Sequence, residues 1–405
     1  QMIQKENIVC VGFPNWEGDY MKSTVELMSV LAKDNTVLYV DYEYTIKDVL
    51  MGIIGKKKVP VKRILGLDKR LRKLPNKKGG SIYVLTPPAV LPVNFMKSSK
   101  WYDRLIKIGA KRVARSIRKA MKELDIKRPI VVNAFNPFFG NDLVGKLDEE
   151  LLLYYCYDEI GSAAWAKKHG VRLEAQFIKK VDGVLVSSIG LYNDRKHLNN
   201  NIYLVKNGVD FNLFNSAFQY KKINKLIPKN EYENIVGYIG SIDFRLDYEL
   251  LEHLFLNMPT TLFAFVGRVN SIKGKAILRK HKNVVLLGPH PPNELPKYLG
   301  EFDLGIIPFE KNDFTKGIYP LKINEYLSAG IPVVLTSFSD LSDFETTTQI
   351  VSNKIDFLLK VKEELINDNF NLQTVRAKIG LANSWENRVD QISEVLIELR
   401  EKKIR

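Results

Sequence analysis

Short runs rich in Val, Ile and Leu alternate with amphipathic stretches along almost the whole chain. In the first half the strand-like runs are NIVCVGF (7–13), TVLYVDY (36–42), SIYVLTP (81–87), PIVVNAF (129–135), ELLLYYCYD (150–158) and DGVLVSS (182–188), and the clearest helical patterns span 21–33 and 101–124. Apolar runs separated by helices predict a parallel sheet covered on both faces. After YLVKNGVDFNLF (203–214) and a polar segment (219–234) the alternation begins again, with NIVGYIGS (234–241), TTLFAFVG (260–267), NVVLLG (283–288), LGIIPF (304–309) and IPVVLTS (331–337).

The pattern predicts an α/β chain of two Rossmann-like, doubly wound domains, residues 1–206 and 207–383. A closing amphipathic helix (384–405) carries Val389, Ile392, Val395, Leu396 and Leu399 on one side. Such sheets take ligands at the carboxyl ends of their strands, so a cleft between two facing domains is expected.

Composition narrows the class. The 405 residues are 45% apolar and 26% charged, as in a globular protein. Cys10 and Cys156 sit in buried-strand patterns and read as core thiols of a reducing compartment. There is no apolar stretch of membrane-spanning length, and the first residues lack a signal-peptide core, so a cytoplasmic protein is expected.

Charge is distributed unevenly. Residues 45–128 hold 24 Lys and Arg against 5 Asp and Glu, whereas the rest of the chain holds 37 against 41. This basic insertion includes VLMGIIGKKK (49–58) and a helical pattern in which Arg104, Lys107, Lys111, Arg115, Arg118 and Lys122 oppose an apolar stripe. Cations beside short apolar segments suit an anionic membrane surface, which predicts a peripheral protein on the inner face of the cell membrane. A merely solvated helix face is the plain alternative. Nucleic acid is not expected as a partner, because no nucleic-acid motif accompanies the charge.

The most informative run is YPLKINEYLSAGIPVV (319–334). A spacing of three places Lys322 and Glu325 on one face near a helix start, where free backbone N–H groups attract phosphate. A carboxylate there can accept both hydroxyl hydrogens of a ribose, and the ammonium can neutralise a diphosphate. On spacing alone, a surface Lys/Glu pair on a helix packed by Leu321, Tyr326 and Leu327 is the better reading. There is no GxGxxG fingerprint, GKS/GKT loop, GxSxG elbow, DxD motif or Cys/His cluster, so no metal and no cofactor is expected.

YPLKINEYLSAGIPVV resembles the donor-binding element of the family-4 glycosyltransferases and their GT-B relatives. VKNGVDFNLF, RLEAQFIKKVDGVLVSSIGL (172–191), VVLLGPHPPNELPKYLGEFDLGIIPF (284–309) and SWENRV match further elements in order, over roughly residues 130 to 400. The resemblance implies the GT-B fold, with the first domain taking the acceptor, the second taking the nucleotide sugar and the last helix returning to the first.

It also implies that Glu325 contacts the ribose and Lys322, with Tyr319 before it, the phosphate side. Ser241 and Arg245 would lie at the diphosphate and His290 beside the base, with a solvated loop arginine and a structural turn histidine as the alternatives. Gly18 and Asp19, in the loop after the first strand, would face the donor or acceptor.

Two features depart from the family. Gly317 stands where retaining members carry a glutamate eight residues before Glu325, and Tyr157-Asp158-Glu159 stands where they carry a histidine. Asp158 resembles the base of the xanthan-type glucuronosyltransferases, with Glu159 as the next candidate and a strand-end cap as the structural alternative.

Transfer from a UDP- or GDP-sugar to a lipid-linked or membrane-associated glycan in surface polysaccharide assembly is therefore expected, without metal. A nucleotide-sugar 2-epimerase and a non-catalytic nucleotide-sugar or membrane-binding scaffold share the same fold features.

Overall fold

The computed structural model describes residues 2–18, 22–97, 99–162, 164–221 and 225–404. The chain divides into two compact units, one formed by Gln1–Lys206 with Arg388–Arg405 and the other by Asn207–Asn387.

The first unit is built on an eight-stranded sheet: β1 (Asn7–Gly12), β2 (Thr36–Val40), β3 (Leu71–Pro75), β4 (Ser81–Leu85), β5 (Ile130–Ala134), β6 (Leu151–Cys156), β7 (Gly183–Val186) and β8 (Ile202–Leu204). Their order is β3-β4-β2-β1-β5-β6-β7-β8. All pairings are parallel except β3 with β4. Since β2 and β5 flank β1, the strand order reverses at β1. The carboxyl ends of these strands frame the crevice where a sheet of this type takes ligand.

One face is covered by the helix Ser99–Glu123, whose buried positions include Tyr102, Ile106, Val113 and Ile117. Its cations at 104, 107, 111, 115, 118 and 122 are exposed. Residues 388–404 of the helix Trp385–Ile404 belong to this unit: Arg400 makes bidentate contacts with Glu6 (2.6 and 2.7 Å) and Glu150 (2.9 and 3.0 Å), and Ser393 Oγ accepts from Ile3 N at 3.1 Å.

Two features depart from the sequence pattern. Leu71–Pro75, within a segment that reads as basic, pairs antiparallel along the sheet edge from Leu71↔Leu85 to Pro75↔Ser81. The insertion also contains two short helices, Ile46–Ile53 and Val61–Leu65.

The second unit holds six parallel strands: β9 (Asn234–Ile239), β10 (Thr261–Val266), β11 (Val284–Gly288), β12 (Leu304–Ile307), β13 (Val333–Thr336) and β14 (Gln349–Val351), in the order β11-β10-β9-β12-β13-β14. Here the order reverses at β9, flanked by β10 and β12. Glycines allow close packing: a Cβ on Gly237 would lie 2.0 Å from the Phe302 ring, and one on Gly305 would lie 2.8 Å from the Tyr326 ring.

Candidate active site

In the second unit, several of the candidate side chains gather at the carboxyl ends of β9 and β12. Gly240, directly after β9, has φ +122°, and a Cβ there would fall 2.4 Å from Lys322 Cε. Glycine thus admits the lysine stem against the backbone. Gly267 follows β10, and its missing Cβ would sit 1.9 Å from the Gly240 carbonyl oxygen, so the two strand ends can approach each other.

The loop that follows is fastened at both sides. Ile242 N donates to Arg268 O (2.9 Å), Glu310 N to Arg245 O (2.7 Å) and Asp247 N to Pro308 O (2.8 Å). Asp247 then caps the helix Tyr248–Asn257 by accepting from Leu250 N at 2.9 Å.

Lys322 and Glu325 lie on the helix Leu321–Ser328, where Pro320 occupies the N-cap position. The helix is held by its buried side. Tyr326 Oη accepts from Ile239 N at 2.9 Å, and buried Asn324 donates to Tyr319 Oη and accepts from Asn383, both at 3.0 Å.

This leaves the Lys322 ammonium 5.4 Å from the Tyr238 ring centroid and 5.5 Å from that of Phe309, with no hydrogen bond or ion pair to any described residue. Burial, and then repulsion from Arg245, push its pKa down to about 8, against the pull of Glu325 and Asp243. Burial raises Glu325 to about 7, with Lys322 opposing. An under-neutralised cation beside a reluctant carboxylate is suited to an anionic ligand that also offers hydroxyls.

The other expected donor residues fall into two groups. Ser241 and Arg245 share the loop after β9 with Gly240. The Arg245 guanidinium makes a bidentate pair with Asp243 (2.9 and 2.7 Å) and lies 5.4 Å from the Phe309 ring, so its charge is already partly matched. Ser241 accepts from Tyr238 Oη through its carbonyl at 2.9 Å.

Tyr319 is buried, with its ring against Phe344, and His290 is held by the Leu287 carbonyl (3.1 Å), Glu294 (3.2 Å) and Tyr298 Oη (2.9 Å). Both side chains have structural partners. At Gly317 a Cβ would meet nothing within 4 Å, so the position where the family glutamate is missing has room for a side chain.

In the first unit the loop after β1 is pinned. Asp41 Oδ1 accepts from Trp16 N at 2.7 Å, and Lys22 Nζ donates to the Asn15 and Glu17 carbonyls at 2.5 and 2.7 Å. That ammonium lies 2.6 Å from where a Gly18 Cβ would be. Asp19 lies outside the described residues.

Asp158, two residues past β6, is exposed, and its Oδ1 accepts from Glu159 N at 2.8 Å. Glu159 is engaged elsewhere, accepting from Gly161 N (3.0 Å) and pairing with Arg195 (3.0 Å). Arg195 is only 5% exposed and also pairs with buried Glu174 at 3.0 Å.

Sequence reasoning missed Glu43, just beyond β2 and 2% exposed. Its Oε2 accepts from Asn136 Nδ2 at 3.0 Å, while buried Oε1 has no partner among the described residues. Burial raises its pKa to about 7. It lies near an aromatic group on the same sheet edge, formed by Phe13–Tyr42 (5.0 Å), Phe13–Phe135 (5.8 Å) and Phe135–Tyr157 (4.8 Å). The only sequence signal is an acid placed between tyrosines just after a strand.

Among the described residues, no group of three or more His, Cys, Asp or Glu is arranged to hold a metal, and no helix is long and apolar enough to cross a membrane.

No protein-family model matches the chain. Among curated proteins it is 28% identical over 178 residues to TuaH of Bacillus subtilis (strain 168), provisionally assigned as a teichuronic acid biosynthesis glycosyltransferase. That match covers 42% of this chain and 44% of the relative.

Solved structures are similar over nearly the whole chain. The sucrose-phosphate synthase of Thermosynechococcus elongatus has a TM-score of 0.69 at 14% identity, covering 98% of this chain and 99% of its own. HepE of Anabaena, in complex with UDP and glucose, gives 0.61 at 12% identity, covering 96% and 99%. The E. coli trehalose-6-phosphate protein bound with UDP-2-fluoro glucose gives 0.64 at 11% identity, covering 97% and 98%. The chain has the GT-B fold.

Proposed function

We propose that this GT-B chain is a glycosyltransferase that moves a sugar from a UDP- or GDP-sugar to a lipid-linked or membrane-associated glycan in surface polysaccharide assembly. The observation that carries the reading is the Lys322 ammonium, without a hydrogen bond or ion pair among the described residues, at the carboxyl ends of β9 and β12, with Glu325 three residues on and Arg245 in the loop facing β12. The name of TuaH and the nucleotide ligands of HepE and the E. coli protein support it.

In this reading the second unit holds the donor. Glu325 accepts from the ribose hydroxyls, Lys322 meets the diphosphate, and Arg245 shares its charge between Asp243 and the phosphate. Ser241 and the backbone at His290 complete the nucleotide site, and Tyr319 supports it from below.

The first unit takes the acceptor. Asp158 removes the proton of the acceptor hydroxyl while that oxygen bonds to the anomeric carbon. The bond to the diphosphate breaks, and its electron pair leaves with the nucleoside diphosphate. Lys322 and Arg245 stabilise that charge, which makes the reaction metal-independent. The protein works at the inner face of the membrane.

The pairing of Arg245 with Asp243 favours one competing reading, a nucleotide-sugar binder without turnover. Product analysis with labelled UDP- and GDP-sugars and a lipid extract separates the two. A labelled glycolipid formed in EDTA and lost in Asp158→Asn supports transfer. Binding of donor with no product in any extract supports the binder, and product abolished by EDTA would overturn the metal-independent mechanism.

A further inference from the structure

In the first unit, the helix Ile46–Ile53 is folded without being covered. Thr45 and Asp48 form a reciprocal N-terminal cap, Thr45 Oγ1 accepting from Asp48 N (3.2 Å) and Asp48 Oδ2 from Thr45 N (2.8 Å). Of its eight residues only Val49 is buried. Ile46, Leu50, Ile53 and the following Ile54 recur at the spacing of one helix face, and the last three are 58%, 62% and 60% exposed.

Two neighbouring pieces extend this surface. The helix start is hydrogen-bonded to the segment after β4 through Ile46 N to Val90 O (2.9 Å), and that segment exposes Leu91 and Phe95. Gly52 packs on Val59 and Val61, which lead into the helix Val61–Leu65 and exposed Leu65 and Leu67.

Exposed Lys47, Lys56, Lys57, Lys58 and Lys62 surround these apolar groups. A second copy of the chain would bring the same excess of cations against them. An anionic bilayer instead matches both the charge and the apolar face.

We infer that the helix Ile46–Ile53 and the turn after it insert their isoleucines into the acyl boundary of an anionic bilayer, while the lysines remain at the headgroups. This rests on the membrane part of the proposed function and adds which residues enter the lipid.

It also has a consequence for the acceptor. β2 and β4 run parallel to β1, β5 and β6, so the segments leaving them lie on the same sheet edge as Asp158 and the aromatic group. A glycan whose lipid anchor stays in the bilayer would be presented to that edge.

The test is flotation of the full chain with vesicles of phosphatidylcholine alone or mixed with phosphatidylglycerol, for wild type and Ile53→Asp/Ile54→Asp. These exposed positions can change without loss of fold, and an unaltered melting temperature verifies it. Wild type is expected to float with the mixed vesicles and the double variant to lose about tenfold or more of its partitioning. Its nucleotide-induced thermal shift should be unchanged. In Ile53→Trp, emission should move to the blue and be quenched by lipids brominated in the acyl chains.

Equal flotation of wild type and double variant, or an unquenched tryptophan, would overturn insertion. Wild type that ignores mixed vesicles overturns insertion and the membrane reading together. Failure of sugar transfer itself registers separately, in nucleotide binding and product formation.

Discussion

Lys322→Met should stabilise the nucleotide-free protein while removing its response to nucleotide. Depression of the ammonium from 10.5 to about 8, at about 1.36 kcal/mol for each tenfold change in acidity, sets an upper bound of roughly 3 kcal/mol on what the charge costs the folded state. Partial exposure and solvent screening reduce this to about 1–2 kcal/mol. Methionine keeps an apolar stem against Gly240 and between the Tyr238 and Phe309 rings.

The sign follows from proton counts. The folded pKa lies below the unfolded one, so between about 8 and 10.5 the unfolded chain holds more protons and stability rises with pH. The cost is therefore full below about pH 8, and the advantage of methionine should fade as pH approaches 10.5. At about 2–4 °C per kcal/mol for a unit of this size, the variant should melt roughly 2–8 °C higher than wild type near neutral pH. Thermal melts at neutral and high pH, with and without UDP or GDP, measure both halves. A variant that melts lower than wild type without nucleotide, or that keeps the full nucleotide-induced shift, would refute the reasoning.

Nucleotide affinity should be greatest between about pH 7 and 8. Below about 7 Glu325 takes up a proton, which turns one of its two acceptor oxygens for the ribose hydroxyls into a donor, and above about 8 Lys322 loses its charge. Each limb should approach tenfold per pH unit by titration calorimetry, with Glu325→Gln flattening the acid limb. Arg195→Met should cost about 3–5 kcal/mol in denaturant unfolding, because it leaves buried Glu174 without its cation. Glu159→Gln, at a partly exposed position, should cost far less. Gly237→Ala should destabilise by about 1–3 kcal/mol or more, since the new methyl would lie 2.0 Å from the Phe302 ring, and Phe302→Ala in the same chain should recover part of the loss.

The doubly wound architecture was legible because β1, β2, β5, β6, β9, β10 and β12 are buried strands whose Val, Ile and Leu runs need no partner to be recognised. β3 was not, because LRKLP alternates weakly and becomes a strand only through its pairing with β4. β8 and β14, three residues each, are likewise defined by a neighbour.

At the site, the spacing of Lys322 and Glu325 was visible, but the pairing of Arg245 with Asp243 depends on a loop folding back within two residues. Beyond its place between tyrosines, nothing in VDYEY marks Glu43, whose hydrogen-bond partner Asn136 is 93 positions away in the chain. The insertion's helix at 101–124 was readable from its apolar stripe, which the structure buries, whereas VLMGIIG read only as a short apolar segment, and its helix and exposure became apparent only in the structure.

The most direct test of the donor site is equilibrium titration of wild type and Glu325→Gln with UDP, GDP, ADP and CMP, in EDTA. Selective binding of one nucleoside diphosphate, weakened by Glu325→Gln and unaffected by EDTA, is the predicted result. Equal affinity in wild type and variant, or binding that appears only when a divalent metal is added, would contradict the account.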